Sequence, residues 1–126
     1  DNNPLPMLTY RKPAKYFLKF DESGLIIAAA TLYPYAKGTD ERYPDADFMY
    51  LSQVGVRREH RGKGYAKRLL GSVFMLAART DSVLVMSSFE PDGRKYLAPV
   101  LPVLHKDYPT VKVVYDGMKT SVTGEK

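Results

Sequence analysis

The sequence contains no cysteine. Disulfides, thiolate metal sites and a cysteine nucleophile are therefore excluded, and no metal site is expected. Long apolar runs are missing as well. No stretch approaches the roughly 20 residues needed to span a bilayer, and no signal-peptide pattern opens the chain. A membrane partner is not expected. There is no internal repeat and no low-complexity block. The chain begins with Asp1 rather than methionine, which raises the expectation of a further N-terminal segment.

What is present suits one globular domain over residues 1–126. A chain of 126 residues can bury a core without disulfides or metal. The formal charge of +5 points to an anionic partner: a phosphorylated cofactor, nucleic acid or an acidic surface.

Residues 15–20 (KYFLKF) and 25–33 (LIIAAATLY) are apolar, aromatic or β-branched, and Asp21-Glu22-Ser23-Gly24 separates them. This is a hairpin signal. Residues 34–46, with two prolines, a glycine and five charges, read as a loop, and 47–56 as a third strand. From Gly64 the period changes. Ala66, Leu69, Leu70, Val73 and Ala77, widened by Leu76, follow the spacing of an amphipathic helix that ends near Arg79. Residues 82–88 form a short buried strand, so a right-handed crossover makes 47–56 and 82–88 parallel. Pro99 and Pro102 should divide 92–108 into two short helical pieces or kink it. Residues 110–115 give a last strand, and the tail either frays or adds an edge strand.

Between the third strand and the helix lies VGVRREHRGKGYAKRLL. A helix N-terminus presents unpaired amides and the positive end of the helix dipole. Gly62 and Gly64 let the backbone approach an anion closely. Arg57, Arg58, Arg61, Lys63, Lys67 and Arg68 surround the same point with positive charge. Together these describe a phosphate cradle. It is neither of two common ones: Lys63 is followed by glycine where GxxxxGK[ST] needs a hydroxyl residue, and Lys67 occupies the third glycine position of GxGxxG.

Arg61-Gly62-Lys63-Gly64-Tyr65-Ala66 spells R-x-x-G-x-A. In this setting it resembles the acyl-CoA pyrophosphate motif of the GNAT superfamily of N-acyltransferases. The resemblance implies an α/β (α+β) fold with a mixed central sheet. In it an antiparallel N-terminal hairpin is followed by a parallel βαβ pair that splays around acyl-CoA. It implies an N-acetyltransferase that moves an acetyl group from acetyl-CoA directly to an amine, in the cytoplasm. The turn Arg61, Gly62, Lys63, Gly64, Tyr65 and Ala66 would hold the two bridging phosphates, and Val54, Gly55 and Val56 the pantetheine arm through main-chain groups.

Direct attack on a thioester requires a neutral amine, whose ordinary pKa lies near 10.4, so a base is wanted near the acceptor. An acid must protonate the leaving thiolate. Some family members place a glutamate base eleven residues before the motif's first residue; Tyr50 stands there in this chain. Aligning LHKDYPTVKVV with the family's helix end puts His105 on the position of the usual thiolate-protonating tyrosine. Tyr108 is a second candidate for that role and Tyr96 a third. Glu59 is read as a local ion-pair partner. The acceptor is open: the acidic, aromatic loop 38–47 (GTDERYPDAD) suits a cationic amine, or merely balances nearby arginines. The few residues before the hairpin suggest an exposed acceptor site, one suited to a protein or completed by a second subunit of a homodimer. Rival readings are a catalytically inactive acyl-CoA-binding regulatory module and a nucleic-acid-binding module that uses residues 57–68.

Overall fold

The computed structural model describes residues 13–86 and 97–115, and in them five strands join, in chain order, into one mixed sheet. Strands β1 (Lys15–Phe20), β2 (Ile26–Tyr35) and β3 (Phe48–Val56) are antiparallel neighbours. Strand β4 (Val83–Met86) lies parallel to β3, and β5 (Val113–Tyr115) parallel to β4. Helix α1 (Tyr65–Thr80) makes the crossover from β3 to β4, and α2 (Val100–Asp107) the one from β4 to β5.

Asp21 closes the β1–β2 turn. Its Oδ1 accepts bonds from the Ser23 N–H (2.8 Å), the Ser23 hydroxyl (2.7 Å) and the Leu25 N–H (3.0 Å), an arrangement that only a short acidic or amide side chain can make. Those donors hold its carboxyl below the ordinary carboxylate range.

The main core lies between one face of the sheet and both helices. Ala28, Ala30, Leu32, Met49, Leu51, Leu84 and Met86 meet Leu70, Val73 and Phe74 of α1 and Leu101 and Leu104 of α2. Phe74, Leu70 and Val73 are fully buried, and each such side chain contributes about 1.5–3 kcal/mol on leaving water. The opposite face carries a smaller cluster of Tyr43, Phe48, Val83 and Val85, flanked by Tyr35 and Tyr50. We call these the helix face and the open face.

Strand β3 serves both clusters by alternation, and a bulge sets the face of its second half. Thr31 pairs with Gln53, but Leu32 pairs with Leu51, leaving Ser52 as an extra residue. Strict alternation from Met49 and Leu51 would send Val54 and Val56 to the open face. The extra residue returns both to the helix face, where they pack on the main core.

One expectation needs correction. The loop expected from residue 34 begins later, since β2 runs through Pro34 to Tyr35, with Pro34 opposite Met49. The last β1 partner is Lys15 opposite Leu32, so β1 does not flank β2 at Pro34 and asks no N–H of it. The division expected in 92–108 falls at Pro99: Leu97 is helical, Ala98 and Pro99 form a turn, and α2 begins anew at Val100. Pro99 sits at its N-cap and Pro102 within its first turn, where backbone N–H groups have no helical acceptor in any case. The expected helical piece at 92–96, the end of the 82–88 strand, Tyr96 and the tail fall outside the described residues.

Candidate active site

At the end of β3 the chain is pinned before it turns. The Arg57 N–H donates to the Ile27 carbonyl (2.8 Å) and its Nε to the Ile26 carbonyl (2.8 Å). A single tight helical turn follows, Arg58–His60. Arg61 then reaches back, its Nε donating to the Val56 carbonyl at 3.1 Å. Two of the six basic side chains in the stretch thus shape the loop. Arg58, Lys63 and Lys67 are exposed and contribute charge.

Gly62 and Gly64 have φ of 81° and 85°, a left-handed conformation costly for any residue with a Cβ. Gly64 is the N-cap of α1, and no side chain caps that end. The Arg68 N–H makes the bond to the Gly64 carbonyl (3.1 Å), so the amides of Tyr65, Ala66 and Lys67 have no acceptor within the helix. The residues that carry these amides line a cavity of about 210 Å³ together with Val56, Arg61, Gly62, Gly64 and Val100. A Cβ at Gly62 or Gly64 would meet no protein atom within 4 Å. The hollow lies at a helix start with free amides and has the room left by two absent side chains, which fits a pyrophosphate. Beside it a wider groove of about 560 Å³ is bordered by Lys19, His60, Lys63 and Tyr65. Lys19 and Arg68 stand 5.8 Å and 5.6 Å from the centre of the Tyr65 ring.

Val54, Gly55 and Val56 pair with Ala30, Ala29 and Ala28 on the β2 side. On the other side β3 pairs with β4 from Phe48–Val83 to Leu51–Met86. Beyond Leu51, among the described residues, that edge of β3 has no strand partner, and its main-chain groups can meet an extended ligand. The distance from Val56 to Leu51 is roughly 17 Å of strand.

The structure brings His105 and Tyr108 together and sets Tyr50 apart. Phe74 stands between the first two: its ring meets His105 edge-on at 5.8 Å and Tyr108 at 6.1 Å. His105 Nε2 also pairs with the Tyr115 hydroxyl at 2.5 Å. All four are on the helix face, against the main core. Tyr50 is half-buried on the open face, opposite Tyr33 in β2 and Val85 in β4. Tyr115 is the residue that the sequence reading missed. It shares a row across the sheet with Met86 and Leu51, level with the end of the β3–β4 pairing. The apolar alternation of Val113 and Tyr115 was its only local signal.

The acidic loop is largely held by its own bonds. Asp40 forms an ion pair with Arg42 (2.8 Å) and accepts the Arg42 N–H (2.9 Å), which holds its carboxyl below the usual range. Arg42 lies over Tyr43 at 5.4 Å, and Tyr43 packs on Phe48 at 4.8 Å. Asp47 accepts the Lys37 N–H at 2.8 Å. Glu41 and Asp45 are exposed. Among the described residues, no helix is long and apolar enough to cross a membrane.

A mixed sheet, a parallel crossover and a glycine turn feeding an uncapped helix define an α/β domain of the acetyltransferase type. The model of the acetyltransferase (GNAT) family matches residues 3–91, and the chain belongs to that family. Among solved structures, the chain is similar to a ribosomal-protein-alanine N-acetyltransferase from Brucella melitensis biovar Abortus 2308. The TM-score is 0.56 and the identity 21%, over 69% of this chain and 62% of that one. It is also similar to a tetramutant of the BH1408 protein from Bacillus halodurans (TM-score 0.55, 12% identity, 68% and 55% covered). An integron cassette protein from V. cholerae gives 0.51 at 17% identity, with 75% and 52% covered. At these identities the likeness is one of fold. The chain spans about half to three-fifths of the length of these structures. No curated protein is close enough in sequence to count as a match.

Proposed function

We propose that the protein is an N-acetyltransferase that moves the acetyl group of acetyl-CoA directly to an amine. The observation that carries this reading is the uncapped start of α1, where the residues after Gly64 line a cavity beside two left-handed glycines. Phosphate oxygens complete that helix end as a capping side chain otherwise would. The β3 main chain from Val56 towards Leu51 holds the arm that follows. Acetyl-CoA, when bound, supplies the acetyl thioester.

The residues of this chain then divide the proton handling between the two faces. Tyr50, on the open face, hydrogen-bonds the acceptor amine or a water beside it as the amine gives up its proton. Its hydroxyl, donor and acceptor at once, orients more than it abstracts. His105, paired with Tyr115 on the helix face, gives a proton to the departing thiolate, with Tyr108 the alternative donor. A positioned proton-transfer group contributes about a hundredfold or more to such a step. Glu41 and Asp45 add negative charge near the open face, which favours a cationic acceptor.

Calorimetric titration with acetyl-CoA tests the reading, with the double variant Gly62→Asp and Gly64→Asp alongside. Micromolar binding that disappears in the variant is the expected result. No heat at millimolar acetyl-CoA would remove the acyltransferase assignment. A protein that binds acetyl-CoA, yet loses no acetyl-transfer rate with any of Tyr50→Phe, His105→Gln or Tyr108→Phe, would keep the cofactor site and lose these catalytic roles.

A further inference from the structure

The exposed apolar side chains of this protein are not scattered. Of the seven large hydrophobic residues that are exposed among the described ones, five lie on the β1–β2 hairpin: Tyr16, Leu18, Phe20, Leu25 and Ile26. Three of these belong to β1. Phe17 packs on the main core, so by alternation Tyr16, Leu18 and Phe20 all project from the open face. They are 62%, 42% and 48% exposed.

Strand β1 is also the end strand of the sheet, and among the described residues nothing pairs with its outer edge. Edge strands are commonly protected by a charge, a proline or a bulge. None protects the open-face positions of β1. Its lysines, Lys15 and Lys19, fall on the helix face, and Lys19 lies over the Tyr65 ring. The register irregularity near Phe20 places the extra residue, Ile27, in β2, so β1 itself runs regularly.

We propose that this edge is a homodimer interface, in which two copies of β1 pair antiparallel about a two-fold axis through Leu18. Residues directly opposite each other in an antiparallel pair share a face. An axis at residue 18 therefore sets Leu18 against Leu18 of the second copy, and Tyr16 against Phe20. All three contacts on the open face are then apolar, two of them aromatic. On the helix face the same register places Phe17 opposite Lys19, and Lys15 opposite Asp21, a pair of opposite charges. Moving the axis to Phe17 sets Lys15 opposite Lys19, and moving it to Lys19 sets that lysine against itself, like charges in both cases. The strand is self-complementary in one register, which is what an isologous two-fold contact requires. The two sheets become one of ten strands, and the apolar strip continues across the axis on the face that carries Tyr50. The inference is independent of the catalytic assignments.

The lack of cysteine makes the test direct, because single-cysteine variants report only the introduced thiol. Under mild oxidation Leu18→Cys, on the axis, forms a disulfide-linked dimer, the opposed Cβ atoms being within bridging range. Tyr16→Cys alone does not, whereas a mixture of Tyr16→Cys and Phe20→Cys gives the mixed dimer. Leu25→Cys, equally exposed but away from the axis, sets the background rate. Sedimentation of the unaltered protein shows a dimer as concentration rises, and Leu18→Lys restores the monomer with its circular dichroism unchanged. A monomer at every concentration, or Leu18→Cys cross-linking no faster than Leu25→Cys, overturns the proposal and leaves the edge to residues 1–12 or to another protein's strand. Equal cross-linking of Tyr16→Cys and Leu18→Cys overturns it too, because that pattern belongs to face-to-face contact.

Discussion

Arg61 closes the loop that it helps to name: its Nε donates to the carbonyl of Val56, five residues earlier, at 3.1 Å. The first residue of the phosphate motif therefore acts on the end of β3, holding the turn so that Gly62 and Gly64 arrive at the helix start.

Replacing Arg61 with alanine should accordingly weaken acetyl-CoA binding by roughly tenfold, the cost of one charge-assisted bond in a partly buried site. Arg61→Lys should recover little of the loss, since an ammonium lacks the guanidinium's directed N–H fork. Calorimetric affinities of the two variants check this. If Arg61→Lys bound like the unaltered protein, charge rather than loop geometry would be the contribution of Arg61.

Gly64→Ala should show two separable effects. Its φ of 85° costs a residue with a Cβ about 1 kcal/mol of stability, although no protein atom lies in the way. The added methyl enters the cavity beside the amides, so acetyl-CoA affinity should fall by more than stability does. Urea denaturation and calorimetry on one variant separate these. Unchanged affinity would mean that the cavity is not the cradle.

Phe74 is the support for the helix-face dyad. Phe74→Ala leaves a cavity in the main core and should cost about 3–5 kcal/mol. Phe74→Leu should cost less, yet still remove the ring that His105 and Tyr108 pack against. The chain has two histidines, so imidazole NMR signals of Phe74→Leu can be assigned by comparison with His105→Gln. His105 signals unmoved by Phe74→Leu would show that the contact does not position the ring.

Stability should fall with acid in a way traceable to two carboxylates. Asp21, held by bonds from Ser23 and Leu25, and Asp40, held by Arg42, both have folded pKa values below their ordinary value of 3.8. A depressed carboxyl stabilises the fold fully above its unfolded pKa. The contribution is lost as pH falls below about 3.8 towards the folded value. Urea midpoints measured at pH 6 and pH 3 should therefore differ more for the unaltered protein than for Asp21→Asn or Asp40→Asn. Equal pH dependence in all three would place the acid sensitivity elsewhere.

Much of the fold and the cofactor half of the site were legible because their causes are local. The hairpin at Asp21–Gly24 follows from a side chain bonding two to four residues ahead. Helix α1 follows from apolar spacing, and the cradle from two glycines that can take positive φ beside a helix start. The catalytic half was less legible. His105 and Tyr108 were singled out in the sequence, but Tyr115 was not, because it reaches His105 only after α2 turns back into β5. The extent of β2 was hidden for a similar reason. Pro34 is acceptable there because β1 ends its pairing at Lys15, a fact of register rather than of the residues around Pro34.

By itself, then, the sequence determined the elements, their order and the anion-binding turn, since each depends on dihedral preference, periodicity and hydrogen bonds within a few residues. Only the tertiary structure decided which side chains share a face. The bulge at Ser52 reverses the alternation of β3, placing Val54 and Val56 against the helices while Tyr50 stays on the open face, away from His105. Cross-strand register fixes that choice, and register is set by which arrangement buries the most apolar surface over the whole sheet. No single segment carries that information.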